Sequence, residues 1–72
     1  MKEFAIGDRV KTSAQGRRVG IKHYYRKGGK LVETDRGVVM RLNRWTGAPK
    51  VTWDGQSKKT VEQVHTEFVT KE

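Results

Sequence analysis

The stretch GVVMRLNRWTGAPKVTWDG, residues 37–55, decides the fold. Over residues 37–42, Val38, Met40 and Leu42 fall on one face of a β-strand, and Val39 and Arg41 fall on the other. Apolar and polar side chains alternate over residues 50–54 with the period of two that is typical of a β-strand. The residues between these runs predict a hairpin loop, and the Asp54-Gly55 pair predicts a tight turn because glycine tolerates a positive φ. We therefore expect an antiparallel hairpin at the centre of an all-β domain.

Three shorter strands flank this hairpin in the sequence. Residues 8–12 predict a first strand, residues 59–64 a fourth, and residues 68–70 a closing strand after a 3₁₀ turn at residues 65–67. The prediction is a five-stranded antiparallel barrel that occupies residues 1–72 as a single domain. The side chains expected inside it are Ile6, Val10, Val38, Met40, Leu42, Val51, Trp53, Val61 and Phe68.

Residues 13–35, after the first strand, form a basic insertion in this pattern. They predict a long loop or an irregular hairpin with the glycine pair at residues 28–29 near its tip. Long loops in compact domains are often functional. No window of twelve residues shows the apolar stripe of an amphipathic helix, so no long helix is expected.

The composition limits the classes of protein to which the chain belongs. Only 33% of the 72 residues are apolar, which is enough for one thin core and too little for a deep substrate cavity as well. There is no cysteine, so disulfides and thiolate zinc sites are excluded. The first eight residues lack the apolar stretch of a signal peptide, and the longest apolar run is far shorter than a membrane helix. We expect a soluble, cytoplasmic protein without a cofactor.

The positive charge is concentrated in one third of the chain. Sixteen Lys and Arg residues against eight Asp and Glu residues give a net charge of +8. Residues 9–30 contain eight bases and no acid, whereas the rest of the chain is close to neutral. Like charges this dense repel one another, so the pattern indicates an anionic partner, and nucleic acid is the first candidate.

Three blocks of the sequence resemble the SH3-like small barrels, the group that includes Tudor, chromo-barrel and KOW-type domains. FAIGDRV at residues 4–10 is similar to the entry into the first barrel strand. RGVV at residues 36–39, together with KVTWDG at residues 50–55, is similar to the central hairpin. Residues 61–69 are similar to the strand, turn and last strand that close the barrel. The V-T-W-D-G block is also similar to small uncharacterised bacterial and phage proteins. The resemblance implies a barrel. KOW-type domains commonly contact RNA, DNA or ribosomal partners, so it also implies such a partner here.

The strongest candidate site is the basic insertion with its two tyrosines. Lys and Arg neutralise phosphates and release counterions, and a tyrosine ring can stack on an unpaired base. Neighbouring residues of a strand point in opposite directions, so one of Tyr24 and Tyr25 is expected to be exposed, and the sequence does not choose between them. The candidate residues are Arg17, Arg18, Lys22, Tyr24, Tyr25, Arg26, Lys27 and Lys30.

A second candidate site lies on the central hairpin. Its residues are Arg41, Arg44, Trp45 and Lys50. A tryptophan beside an arginine often marks an interface, but Trp45 can equally fold back over the mouth of the barrel, and both possibilities stay open. Lys58 and Lys59 are expected to be an ordinary charged edge that discourages strand pairing.

Catalytic and metal-binding patterns are scarce. The chain has no H-E-x-x-H or G-x-S-x-G motif, and residues 28–30 lack the spacing of a phosphate-binding loop. His23 and His65 have no recognisable third metal ligand. Plasmid-encoded dihydrofolate reductases are SH3-like barrels too, but residues 61–65 depart from their motif. A Tudor-type cage needs more aromatic residues than the core leaves free. We expect neither an enzyme nor a metal site.

The leading hypothesis is a nucleic-acid-binding module that contacts mainly the phosphate backbone, with low sequence specificity. A basic barrel without a recognition helix has no obvious way to enter the major groove. The alternative is a phage-like protein-interaction module that docks on an acidic surface of a host or virion protein. Neither hypothesis involves a membrane or a small-molecule substrate. The sequence does not separate DNA from RNA, or a duplex from a single strand.

Overall fold

The computed structural model describes residues 4–72 and is built mostly from β-strands. Within this part of the chain there are seven strands, one short helix and one 3₁₀ turn. In chain order they are β1 (Arg9–Thr12), α1 (Ala14–Arg18), β2 (His23–Lys27), β3 (Lys30–Thr34), β4 (Arg36–Leu42), β5 (Pro49–Trp53), β6 (Glu62–Gln63), the 3₁₀ turn (Thr66–Phe68) and β7 (Val69–Lys71). Residues 54–61 form the loop between β5 and β6, the 54–61 loop. The predicted all-β class is confirmed.

Five of the strands form one antiparallel sheet in the order β6-β5-β4-β1-β7. Strands β2 and β3 form a separate hairpin in the basic insertion, with Gly28 and Gly29 at its tip. In residues 4–72, β6 and β7 are edge strands that do not pair with each other. The large sheet is therefore open, and the prediction of a closed barrel of five strands is wrong in both closure and strand number.

The loop between β4 and β5 is held by the side chain of Asn43. Its Oδ1 accepts hydrogen bonds from the backbone N–H groups of Trp45 (2.9 Å) and Thr46 (3.0 Å), which makes an Asx turn. Gly47 completes the reversal with a φ of +73°, a conformation that favours glycine. The turn leaves Trp45 at the tip of the hairpin.

The core lies on one face of the large sheet, and Trp53 is its largest member. Trp53, Val10 and Val51 are fully buried, so these three predicted core positions are confirmed. Phe68 is partly buried against them, and Val61, also predicted inside, is only half-buried. The cluster is completed by Phe4, Val39, Val64 and Val69.

The inward face of β4 is the opposite of the one predicted. Gly37 pairs with Trp53 across the ladder, and Val39 pairs with Val51. A Cβ on Gly37 would lie 2.8 Å from Val51 Cγ1 and 2.7 Å from the backbone oxygen of Thr52, so there is no room for a side chain at this position. A shift of one residue moves every side chain of a strand to its other face. Val38 and Met40 consequently face outward. After a register shift between Val39 and Arg41, Leu42 pairs with Pro49 on the inner face, but it lies at the end of the strand and is 37% exposed.

Near the N-terminus, Phe4 takes the core position that was predicted for Ile6. The carboxylate of Asp8 accepts a hydrogen bond from the backbone N–H of Ala5 at 2.8 Å, and Gly7 turns the chain with a φ of +95°. This turn buries Phe4 and leaves Ile6 69% exposed.

The short helix α1 is packed against the 3₁₀ turn. Ser13 caps it, since its Oγ accepts a hydrogen bond from the backbone N–H of Gly16 at 3.1 Å and donates one to the backbone oxygen of Glu67 at 2.6 Å. A Cβ on Gly16 would lie 2.9 Å from the backbone oxygen of Phe68, so glycine permits this close approach. A helix of five residues is too short to produce an apolar stripe, and the sequence pattern did not predict it.

Candidate nucleic-acid interface

The two faces of β2 separate its side chains into two groups. His23 and Tyr25 face the large sheet and are half-buried, whereas Tyr24 and Arg26 face outward. Tyr24 is 45% exposed. The structure therefore assigns the exposed position, which the sequence left open, to Tyr24.

His23 fastens the hairpin to the core. Its ring stacks on that of Trp53, with the ring centroids 3.8 Å apart and the planes 15° from parallel. Its Nδ1 lies 3.4 Å from Oε2 of Glu62. Burial lowers the pKa of His23 below its ordinary 6.5, and the charge of Glu62 opposes this shift. At neutral pH, His23 is therefore an uncharged packing residue and not a phosphate ligand.

Two further contacts join the hairpin to the 54–61 loop. The Nε2 of Gln56 donates to the backbone oxygen of Tyr24 at 3.0 Å, and its Oε1 accepts from the backbone N–H of Trp53 at 3.1 Å. The ring of Tyr25 lies on Gly55, where an added Cβ would be 2.4 Å from the ring. These contacts fix the position of the loop relative to the outward face of β2.

Arg9 holds the start of the 54–61 loop against β1. Its Nη1 and Nη2 donate to the two carboxylate oxygens of Asp54, each at 2.8 Å. The guanidinium lowers the pKa of Asp54 below its ordinary 3.8. Both side chains are about half-exposed, so we assign this ion pair a positioning role and little stabilisation.

A cleft of about 350 Å³ separates the hairpin from the 54–61 loop, and we call it the hairpin cleft. Its lining residues are Tyr24, Tyr25, Arg26, Leu31, Gly55, Gln56, Ser57 and Thr60. No acidic side chain from residues 4–72 lines it. One wall carries an exposed aromatic ring and a guanidinium, and the other carries the amide and hydroxyl groups of the loop.

A second depression, the basic groove, is lined in part by the end of the 54–61 loop. Its lining residues are Arg41, Lys50, Lys59, Val61 and Gln63. Arg41 and Lys50 pair across the β4–β5 ladder after a register shift, and Lys59 approaches from the loop. Thr60 lines the hairpin cleft and its neighbours Lys59 and Val61 line the groove, so the two depressions meet at the end of the loop.

Some of the predicted contact residues are already paired with acids. Arg17 lies 3.1 Å from Asp35, and Lys22 lies 3.6 Å from Glu33. The charge pattern of residues 9–30 did not reveal these pairs because both acids follow that segment. In the described part of the chain, the bases outside any ion pair are Lys11, Arg18, Arg26, Lys27, Lys30, Arg41, Arg44, Lys50, Lys58 and Lys59.

Trp45 is exposed at the tip of the β4–β5 hairpin. It is 84% exposed, and Cζ of Arg44 lies 5.7 Å from the centroid of its ring. The alternative in which Trp45 folds back over the core is therefore wrong. Neither residue lines the hairpin cleft or the basic groove.

The predicted site residues are thus distributed over several places. Tyr24, Tyr25 and Arg26 line the hairpin cleft, and Arg41 and Lys50 line the basic groove. The others lie outside both depressions: Arg17 and Arg18 on α1, Lys22 before β2, Lys27 and Lys30 at the hairpin tip, and Arg44 and Trp45 in the β4–β5 loop.

Lys59 is the site residue that the sequence prediction missed. Lys59 was placed in a fourth strand, but β6 contains only residues 62–63. The Oγ1 of Thr52 donates to the backbone oxygen of Thr60 at 2.9 Å and holds the loop against β5. Lys58 lines a further cleft on the outer face of the sheet, next to Met40. The sequence contained one indication of this site, which is the pair of adjacent bases Lys58 and Lys59 shortly after the predicted turn.

Comparison with known protein families, curated proteins and solved structures gives no significant match for this chain. No helix in residues 4–72 is long and apolar enough to cross a membrane. The same residues contain no group of three or more His, Asp or Glu side chains arranged to hold a metal ion.

Proposed function

We propose that this protein binds nucleic acid, without catalysis, through the phosphate backbone and with low sequence specificity. The observation that carries the proposal is the convergence of the hairpin cleft and the basic groove on the 54–61 loop. Their bases are Arg26, Arg41, Lys50 and Lys59, and within the described residues none of the four has an acid as a partner.

The charge of these four side chains favours a polyanion over a single small anion. The bases lie on three elements, β2, the β4–β5 ladder and the 54–61 loop, so they form an extended surface and not one compact pocket. A ligand with regularly spaced phosphates can contact several of them at once and release a counterion at each contact. Phosphate contacts hold a nucleic acid in place but do not read its bases, which is why we propose low specificity.

We also propose that the large sheet is related to the SH3-like small barrels. Its order, β6-β5-β4-β1-β7, places the last strand beside the first and the central hairpin next to them. This arrangement agrees with the three sequence blocks that resemble the group. This relationship concerns only the fold, and the proposed function rests on the charged surface alone, because one fold serves many functions.

A titration of the whole chain with labelled duplex and single-stranded DNA and RNA tests the proposal. Four phosphate contacts on a duplex predict a slope of log affinity against log salt of about −3.6, from roughly −0.9 for each contact. Affinity should therefore fall about 150-fold between roughly 50 mM and 200 mM salt. Absence of binding to all four ligands at the lower salt, or an affinity that does not change with salt, would contradict the proposal.

The exposure of Trp45 supports a second candidate function, which is docking on an acidic protein surface. A tryptophan that is 84% exposed beside a guanidinium has the character of an interface hot spot. Under this alternative, the Trp45→Ala variant should lose a protein partner in affinity capture from cell extract while nucleic-acid affinity stays feeble. Under the lead proposal, the same variant should bind nucleic acid as the parent does, because Trp45 lies outside both depressions.

A further inference from the structure

We infer that the hairpin cleft receives a single-stranded segment of nucleic acid, with an unpaired base stacked on Tyr24. This inference rests on the proposed function and adds the class of ligand. Binding of this kind requires an exposed aromatic ring, a nearby cation without an acidic partner, and a cleft that is formed before the ligand binds. Each of these features is present in the hairpin cleft.

The ring of Tyr24 is available for stacking. It is 45% exposed on the outward face of β2, whereas Tyr25 is held against Gly55. Arg26 and Leu31 pair across the β2–β3 ladder on the same outward face and line the same cleft. An aromatic ring beside an apolar side chain and a guanidinium offers a base a stacking surface and its phosphate a charge.

The cleft is held open by contacts that do not involve the ring of Tyr24. His23 stacks on Trp53 at 3.8 Å, the ring of Tyr25 lies on Gly55, and Gln56 binds the backbone oxygen of Tyr24 at 3.0 Å. The backbone of Tyr24 is therefore fixed relative to the 54–61 loop. A preformed site loses less conformational entropy when it binds its ligand.

The charges around the ring favour a phosphate. Glu33 pairs with Tyr24 across the β2–β3 ladder and is the acid nearest to it in the ladder. Its carboxylate lies 3.6 Å from Nζ of Lys22, which offsets its charge. Arg26 is two residues along the same face and has no acidic partner in the described chain.

The ligand class follows from what a stacked tyrosine requires. In a duplex each base is already stacked between its neighbours, so a side chain can stack on it only after the base has been extruded, at a cost of a few kcal/mol. Every unpaired base presents a π-face, so stacking tolerates any sequence and is consistent with the low specificity proposed above. A duplex would contact the four bases through its phosphates alone, without the ring of Tyr24.

The test compares the Tyr24→Leu and Tyr24→Phe variants of the full chain. Each is titrated by fluorescence anisotropy with a labelled oligothymidylate and with a DNA duplex of equal length. Tyr24→Leu should weaken binding of the single strand about 5- to 150-fold, which corresponds to stacking of one base. Tyr24→Phe keeps the ring and should bind the single strand within about twofold of the parent, and neither change should alter duplex affinity. Circular dichroism and the urea midpoint confirm that each variant is folded.

The outcomes separate this inference from the proposed function. If Tyr24→Leu binds the single strand as tightly as the parent, or loses duplex and single-strand affinity equally, the inference is overturned while nucleic-acid binding stands. If the parent binds neither ligand at low salt, the proposed function fails, and the inference fails with it. Loss of single-strand affinity in Tyr24→Leu alone supports both.

Discussion

The imidazole of His23 stacks on the indole of Trp53, with the ring centroids 3.8 Å apart and the planes 15° from parallel. Trp53 is fully buried in the large sheet, and His23 belongs to the β2–β3 hairpin. The ring nitrogens Nε2 of His23 and Nε1 of Trp53 are buried and lack a hydrogen-bond partner within the described chain. This stack therefore joins the hairpin to the sheet by ring contact, and its burial disfavours a charge on His23.

The first prediction is a loss of stability as the pH falls below about 6.5. The unfolded chain takes up a proton on His23 at its ordinary pKa of 6.5, whereas burial lowers the pKa in the folded state. Between these two values the unfolded state binds more protons, so acid favours unfolding, and above 6.5 the full stability is present. Urea denaturation measured at a series of pH values should show this decline.

The control is His23→Phe, which keeps a flat ring and removes the titration. Its unfolding free energy should lose the decline that begins near pH 6.5 and keep the one that begins near pH 3.8, the ordinary pKa at which Asp54 takes up a proton in the unfolded chain. If the stability of the parent protein stays constant from pH 7.5 down to about pH 3.8, where the effect of Asp54 begins, His23 is not buried against Trp53.

The second prediction concerns the contact between Gly55 and Tyr25. Gly55→Ala should destabilise the protein and release the hairpin, since the new Cβ would lie 2.4 Å from the tyrosine ring. Overpacking of this kind typically costs about 1–3 kcal/mol. Amide exchange should become faster in β2 than in β4.

A control for backbone strain exists in Gly7→Ala. The φ of Gly7 is +95° and that of Gly55 is +91°, so both substitutions impose a similar unfavourable φ, but no atom of residues 4–72 lies within 4 Å of a Cβ on Gly7. The difference between the two variants measures the contact with Tyr25. Equal destabilisation and unchanged exchange in β2 would mean that the hairpin does not rest on Gly55.

The third prediction tests which face of β4 is inside. Val39 is fully buried opposite Val51, and Val38 lies half-buried on the outer face. Val39→Ala should lower the free energy of unfolding by about 2 kcal/mol, and Val38→Ala by less than about half of that. Chemical denaturation of the two variants checks the difference, and the reverse order would restore the face that alternation alone predicted.

The inward face of β4 could not be predicted from the sequence. The sequence pattern correctly predicted where the strand lies. It favoured the wrong face, because the predicted face that contains Val38 has three apolar residues and is more hydrophobic than the face that contains Gly37 and Val39. The correct choice depends on Gly37 lying opposite Trp53, a relation between strands that no local pattern contains. A Cβ at residue 37 would meet Val51 Cγ1 and the backbone of Thr52 and Trp53, so only glycine fits there.

The site was predictable to the extent that its charge is local in sequence. Arg26 and the two tyrosines fall in the basic insertion, and the glycine pair at its centre indicated a hairpin tip. The contribution of Lys59 was not predictable, since it depends on the 54–61 loop folding back beside Arg41 and Lys50. Likewise, Asp35 lies next to Arg17 only after the chain has folded.

The central claim is that four bases around the 54–61 loop supply the phosphate contacts. The interface variant combines Arg26→Gln, Arg41→Gln, Lys50→Gln and Lys59→Gln. The control variant combines Lys11→Gln, Arg17→Gln, Arg18→Gln and Lys71→Gln, whose positions line neither the hairpin cleft nor the basic groove. Each variant lowers the net charge from +8 by four. Any effect of net charge alone on affinity is therefore the same in both variants.

The most direct test is the slope of log affinity against log salt for one DNA duplex, measured with the parent and both variants. The interface variant should have a slope flatter by about 3.6, since each lost contact removes roughly 0.9, and it should bind every duplex sequence more weakly to the same degree. The control variant should keep the slope of the parent. Equal slopes in the two variants, or a flattened slope in the control alone, would contradict the claim that the 54–61 loop lies at the centre of the interface.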